Sequence, residues 1–244
     1  MTELLQATPS ASELAAAVTD RELARLLSWP RERPFEGLIA ERVAASRAWY
    51  AAHGDPWVAT RRVGLRQVEP NAVTLETGAI FHGVDFARRV REGEAHAVMA
   101  VALTAGRAVE EESRRHWAEG RPDEGYFLDR LGAAVAEELL RWASVWACRD
   151  AESLGETVLF HLSPGCGGWP FEEQPTLMGM LTGGATSLGR VTMLESGGLT
   201  PGHSLLAVLA LTRKPVAPES ARDACRSCDL LRCTFRRAPF RRMS

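Results

Sequence analysis

The chain has 244 residues, 45% of them hydrophobic, enough to bury one large core or two small ones. Its formal net charge of −2 excludes a global electrostatic pull toward nucleic acid or acidic membrane surfaces. No apolar run approaches the length that spans a bilayer, and the N-terminus lacks a basic-then-apolar signal pattern. A cytoplasmic protein is therefore expected, with its five cysteines reduced unless they hold a metal. Lys214 is the only lysine, and the dominance of arginine reads as coding bias in a GC-rich genome.

In chain order, Ser10 to Leu27 carries apolar positions at helical spacing among Glu13, Asp20 and Glu22, and is predicted to be one helix. Trp29-Pro30 to Pro34 breaks it. Glu36 to His53 is a second amphipathic helix, stopped by Gly54 and Pro56. Within Trp57 to Phe81, the run Asn71 to Thr77 alternates apolar and polar residues as a half-buried strand does. Ala95 to Leu103 is a strand, and Arg107 to Ala118 and Tyr126 to Ala147 are helices. There follow a strand from Thr157 to Phe160, a loop, a helix from Phe171 to Leu181, a strand from Arg190 to Leu194, a Gly/Pro turn and a strand from Ser204 to Thr212. Helices first and mixed elements later argue for an α+β fold rather than regular βαβ winding.

The loop is the most informative segment. Ser163-Pro164-Gly165-Cys166-Gly167-Gly168-Trp169-Pro170 places two prolines, three glycines and a tryptophan in succession, a stiff turn whose backbone can approach a ligand closely. A strand followed by Gly-Cys-Gly-Gly superficially suggests a Rossmann nucleotide loop. That motif needs glycines leading directly into a helix and an acidic residue ending the next strand. Here Trp169-Pro170 follows the glycines and no strand–helix alternation precedes them, so the Rossmann reading is set aside.

Past Pro215 the chain turns polar and Arg-rich and carries Cys225-x-x-Cys228-x4-Cys233. Tetrahedral zinc or a cluster iron takes four ligands, so the three cysteines form a partial zinc or iron–sulfur signature that Cys148, Cys166 or an exogenous ligand would complete. Three reduced thiols are the alternative. The flanking arginines form a solvated tail or a dock for an acidic partner.

Four segments together resemble the S-adenosylmethionine-binding activation domain of cobalamin-dependent methionine synthase, and more nearly its stand-alone bacterial relatives. They are Val101-Ala102-Leu103-Thr104-Ala105-Gly106 with the acidic helix after it, Leu128 to Glu137, Ser163-Pro164-Gly165 through Gln174, and Leu194-Glu195-Ser196-Gly197-Gly198 through Ser204. The resemblance covers roughly residues 95–237. It implies an α+β domain with a twisted antiparallel sheet and flanking helices, binding S-adenosylmethionine in a shallow groove. On that reading residues 1–94 are a helical and mixed N-terminal part of the same domain, 95–214 the ligand-binding core, and 215–244 a Cys/Arg-rich segment.

The resemblance also marks departures. The family's loop begins with Arg and has Tyr after Pro-Gly, where this chain has His161 and Cys166, and an aromatic of the last strand is replaced by Leu209. Histidine substitutes for a carboxylate-gripping arginine only as a single donor. There is no Asp-x-His-x-x-Gly cobalamin signature, so no bound cobalamin is expected, and any corrinoid would arrive on a partner.

S-adenosylmethionine presents a sulfonium, an amino group, a carboxylate and an adenine, so its site needs an anion or π-face near sulfur, a carboxylate donor and backbone groups. The candidate binding residues are His161, Ser163, Pro164, Gly165, Cys166, Gly167, Gly168, Glu195 and Ser196. Glu195 reads as a contact to the amino group or sulfonium, or else as a surface-turn carboxylate; His161 as a ligand contact or a satisfied structural histidine. The catalytic candidates are Glu195, Cys166 and His203, with Cys166 lacking an evident base and His203 a turn residue by default. Three functions are compatible: an activator donating methyl to a corrinoid partner, a cobalamin-independent lyase or cyclase releasing methylthioadenosine and a cyclopropane amino acid, and a non-catalytic S-adenosylmethionine sensor.

Overall fold

The computed structural model describes residues 8–30 and 32–214. The N-terminal helical stretch is two helices, α1 (Ala11–Ala17) and α2 (Asp20–Leu26), rather than the single one expected. Each begins with a capping box, Ser10 with Glu13 and Thr19 with Glu22, and the second box takes the amides that a continuous helix would have used. Helix α3 (Gly37–His53) follows as expected.

Strands β1 (Trp57–Val68), β2 (Ala72–Leu75) and β3 (Ile80–His82) form an antiparallel meander, and α4 (Val84–Glu92) returns the chain to β4 (Ala95–Thr104). Helices α5 (Arg107–Ala118) and α6 (Pro122–Ser153) precede β5 (Thr157–Leu162). The loop then enters a 3-10 turn (Phe171–Glu173) and α7 (Gln174–Thr182). Three short strands, β6 (Ser187–Leu188), β7 (Val191–Met193) and β8 (Leu199–Thr200), make a small second sheet before β9 (Ser204–Thr212). The main sheet has six strands in the order β3-β2-β1-β4-β9-β5, all neighbours antiparallel, so strands from both halves of the chain share one sheet.

β4 and β9 lie at the centre and are buried on both faces, which is why they read as continuous apolar runs. Ala97, Met99, Val101 and Leu103, with Leu209 and Leu211, turn toward α1, α2, α3 and α6. Val98, Ala100 and Ala102, with Leu206 and Val208, turn toward α4, α7 and the small sheet. Helix α6, with 32 residues, runs about 48 Å at 1.5 Å per residue and packs on the first face against β4, β5 and β9.

At the far end of that face Glu156, its side chain 4% exposed, accepts from Arg62 Nη2 at 2.6 Å and is 2.8 Å from His96 Nε2. Burial works against the Glu156 carboxylate, but Arg62 and His96 together hold its pKa below the usual range. No helix among the described residues is long and apolar enough to cross a membrane. Cys225, Cys228 and Cys233 lie outside the described residues.

Candidate functional site

β5 extends to Leu162, beyond the expected end at Phe160, so His161 lies within an edge strand. His161 pairs across the ladder with Leu209, a residue of the core under α6, which puts His161 on the α6 face, half-buried. Leu162 turns to the opposite face. The chain leaving β5 runs antiparallel to β9, toward its start at His203-Ser204.

The loop is held by its own backbone. Cys166 N–H donates to Ser163 O at 3.0 Å, Gly165 N–H to Trp169 O at 2.8 Å, and Trp169 N–H to Cys166 O at 3.0 Å. Gly165 and Gly168 have φ of +85° and +75°, a conformation side chains resist, and a Cβ on Gly168 would sit 2.4 Å from Asp85 Oδ2 at the start of α4. Trp169 anchors the loop: it is 1% exposed, stacks on Phe86 with centroids 4.7 Å apart and meets Phe81 edge-on at 5.2 Å. Each such pair adds about 0.5–1.5 kcal/mol beyond area burial. With Pro164 and Gly167 buried beside it, the anchored loop leaves Gly165, Cys166 and Gly168 exposed.

The second candidate segment arrives at the same place. Ser196 Oγ accepts from Gly198 N–H at 3.4 Å, Glu195 and Ser196 are exposed, and the buried Gln174 at the start of α7 donates its side-chain amide to Gly197 O. Phe171 joins the two segments. A Cβ on Gly165 would be 3.5 Å from Phe171 Cδ2, and one on Gly197 would be 3.1 Å from Phe171 Cε1. The ring thus lies against the glycine loop on one edge and the Glu195–Gly198 turn on the other, and the residue is still 44% exposed.

His203 sits on the α6 side of this end of the sheet. Its Nε2–H donates to Asp129 Oδ1 at 3.1 Å, its carbonyl accepts from Ala105 N–H at 2.9 Å, and its ring packs where a Cβ of Gly132 would be, 2.6 Å from Cδ2. The bond from His203 is the main cause that lowers the Asp129 pKa, burial working against it. Glu110 on α5 accepts from Gly202 N–H at 2.7 Å; burial raises its pKa, and Gly202, Arg114 and His203 together bring it below the usual value.

No protein-family model matches the chain, and no curated protein matches it. Among solved structures, the chain is similar to a crystal structure of the MetH reactivation domain bound to AdoHcy, with a TM-score of 0.63 and 15% identity, over 88% of this chain and 80% of that one. The fold is that of the MetH reactivation domain. The α+β, activation-domain-like architecture expected from the four segments is the one found, with its antiparallel sheet and flanking helices.

Within the reactivation-domain fold, the structure brings Gly165 of the glycine loop and Gly197 of the Glu195–Gly198 turn to Phe171, and sets His161 and His203 on the α6 side of the same sheet end. Phe171, Gln174, Asp129, Gly132 and Glu110 lie in segments that carry the resemblance but have no site role in the sequence pattern. A signal existed for one: an isolated glycine inside a helix, such as Gly132, marks close packing. Among the described residues, no group of three or more His, Cys, Asp or Glu is placed to hold a metal ion.

Proposed function

We propose that this chain binds S-adenosylmethionine as a substrate at the Phe171 rim and presents its methyl group to an acceptor carried by a partner protein. The observation that carries the reading is the convergence of the glycine loop and the Glu195–Gly198 turn on one exposed ring, in a fold shared with a domain whose crystal structure holds AdoHcy. AdoHcy is what S-adenosylmethionine becomes when it gives up its methyl group. Gly165 and Gly168, exposed and without side chains, let a ligand approach the loop closely, and the Glu195 carboxylate suits its amino group or sulfonium. His161 would serve as the donor for the ligand carboxylate.

Openness supports a macromolecular acceptor. Gly165, Cys166, Phe171, Glu195 and Ser196 are all exposed, so a nucleophile approaches the methyl carbon from outside. A bond to that carbon forms as the C–S bond breaks, and the electron pair stays on sulfur. A reduced corrinoid cobalt is the acceptor that the resemblance implies; it would come on the partner.

A second reading is favoured by the His203–Asp129 pair. Asp129 holds Nε2–H, which leaves Nδ1 to take a proton. Removal of the α-proton of S-adenosylmethionine, attack of that carbon on Cγ and loss of methylthioadenosine with the C–S electron pair would give a cyclopropane amino acid.

The test is product analysis by mass spectrometry on the full chain with S-adenosylmethionine. The activator reading expects no turnover alone, and AdoHcy only when a cob(II)alamin-loaded protein and a reductant are added. Methylthioadenosine with a new amino acid from the chain alone would replace it with the lyase reading. Binding without either product would leave a sensor, and no binding would overturn all three.

A further inference from the structure

Phe171 has an environment unlike that of an ordinary exposed aromatic. It is the first residue after Trp169-Pro170, whose indole is fixed in the aromatic stack with Phe86, so its backbone is placed by a buried anchor. Its ring is approached from two directions by residues without side chains. A Cβ on Gly165 would meet Cδ2 on one edge of the ring, and one on Gly197 would meet Cε1 and Cζ on the other. Both glycines have positive φ, +85° and +83°, so side chains there would be strained, and one at Gly197 would be crowded by the ring as well. The result is a ring flanked at its edges by bare backbone, on a residue that stays exposed. Glu195, two positions before Gly197, adds an exposed carboxylate to the same turn.

An exposed aromatic ring and an exposed carboxylate, carried by two segments that meet, attract a cation and offer little extra to its neutral counterpart. S-adenosylmethionine and AdoHcy differ at sulfur in this respect: the first is a sulfonium cation, the second a neutral thioether. We infer that Phe171, with Glu195, is the charge-selecting wall of the site, making the protein prefer the cationic methyl donor over its demethylated product. The inference rests on the S-adenosylmethionine reading above and adds to it a residue that sets ligand specificity. It gives the site a direction of use, because a spent ligand is held more weakly than a fresh one.

The experiment is calorimetric titration of S-adenosylmethionine and, separately, AdoHcy into the full wild-type chain and its Phe171→Leu and Phe171→Trp variants. Far-UV dichroism and melting temperature establish that each variant is folded; the ring's exposure makes its replacement tolerable to the core. Phe171→Leu is expected to weaken S-adenosylmethionine binding by about 3- to 30-fold, the range of a cation–π contact, and AdoHcy binding by less than about 2-fold. Phe171→Trp is expected to retain the preference for the cation. Equal weakening of both ligands would overturn the inference and assign Phe171 to adenine stacking or packing, while leaving the binding reading in place. Unchanged affinities would overturn it too. A wild-type chain that binds neither ligand would overturn the S-adenosylmethionine reading itself, and the charge-selecting wall with it.

Discussion

Gly132→Ala separates helix propensity from site packing. In the interior of α6, replacing glycine by alanine normally stabilises by about 1 kcal/mol. At this position the new Cβ would be 2.6 Å from His203 Cδ2 and 2.9 Å from Nε2, so the imidazole must swing away from Asp129. Losing a hydrogen bond to a charged, partly exposed carboxylate costs about 1.5 kcal/mol. The two effects nearly cancel, and Gly132→Ala alone is expected to shift stability by about −0.5 kcal/mol, or 1–2 °C of Tm for a chain this size. In a His203→Ala background the obstacle is gone, and the same substitution is expected to stabilise by about 1 kcal/mol. The coupling in this double-mutant cycle, measured by urea unfolding, is thus about 1.5 kcal/mol. An equal effect of Gly132→Ala in both backgrounds would refute the packing of His203 against α6.

Other expectations follow from the same geometry. Gly168→Ala places a side chain at φ +75° and against Asp85, and is expected to cost about 1–3 kcal/mol, whereas Gly179→Ala in α7, where a Cβ meets nothing within 4 Å, is expected to stabilise by about 1 kcal/mol. Melting temperatures that move in the same direction for both would contradict the glycine assignments. Glu156→Gln removes the counter-charge from Arg62 and His96, and since those partners are a quarter exposed, a loss of about 3 kcal/mol, the low end for breaking a buried pair, is the expected result of denaturant titration. Asp129 and Glu156 both have pKa values lowered by folding, so the stability they contribute is complete above their unfolded values, near about pH 4, and is lost as pH falls through the folded ones. His203→Ala should therefore flatten the acid limb of a stability-versus-pH profile; an unchanged acid limb would show that the His203 bond does not set the Asp129 titration.

The elements most legible in the sequence are those whose pattern is local. Arg107 to Ala118 and Ser204 to Thr212 have the bounds read from periodicity and apolar runs, and the Glu36 to His53 stretch lost only its first residue to a cap. The Ser10 to Leu27 stretch was read as one helix because apolar spacing continues across Val18-Thr19, while the Thr19–Glu22 capping box that divides it is a polar signal. β1 is not evident as a strand because Arg61, Arg62 and Arg66 interrupt its apolar run; Arg61 donates to Met180 O and Arg62 pairs with Glu156, both partners distant in sequence. Nine-residue α4 was missed because its buried face is just Phe86, Ala87 and Val90.

The site divides in the same way. The glycine loop and the Glu-Ser-Gly-Gly turn are visible as motifs, because close backbone approach demands glycine. Their meeting is not visible, since it depends on Phe171, which local periodicity counts as the opening of a helix, and on Gln174 reaching Gly197. The His203–Asp129 pair joins a turn to a helix, and only packing at Gly132 brings them together.

The claim that these two segments form one ligand site is tested most directly by hydrogen–deuterium exchange of the full chain with and without saturating S-adenosylmethionine. Slowed exchange confined to peptides covering 161–174 and 194–204 is expected, with the N-terminal helices unchanged. Protection elsewhere, or in only one of the two segments, would contradict it.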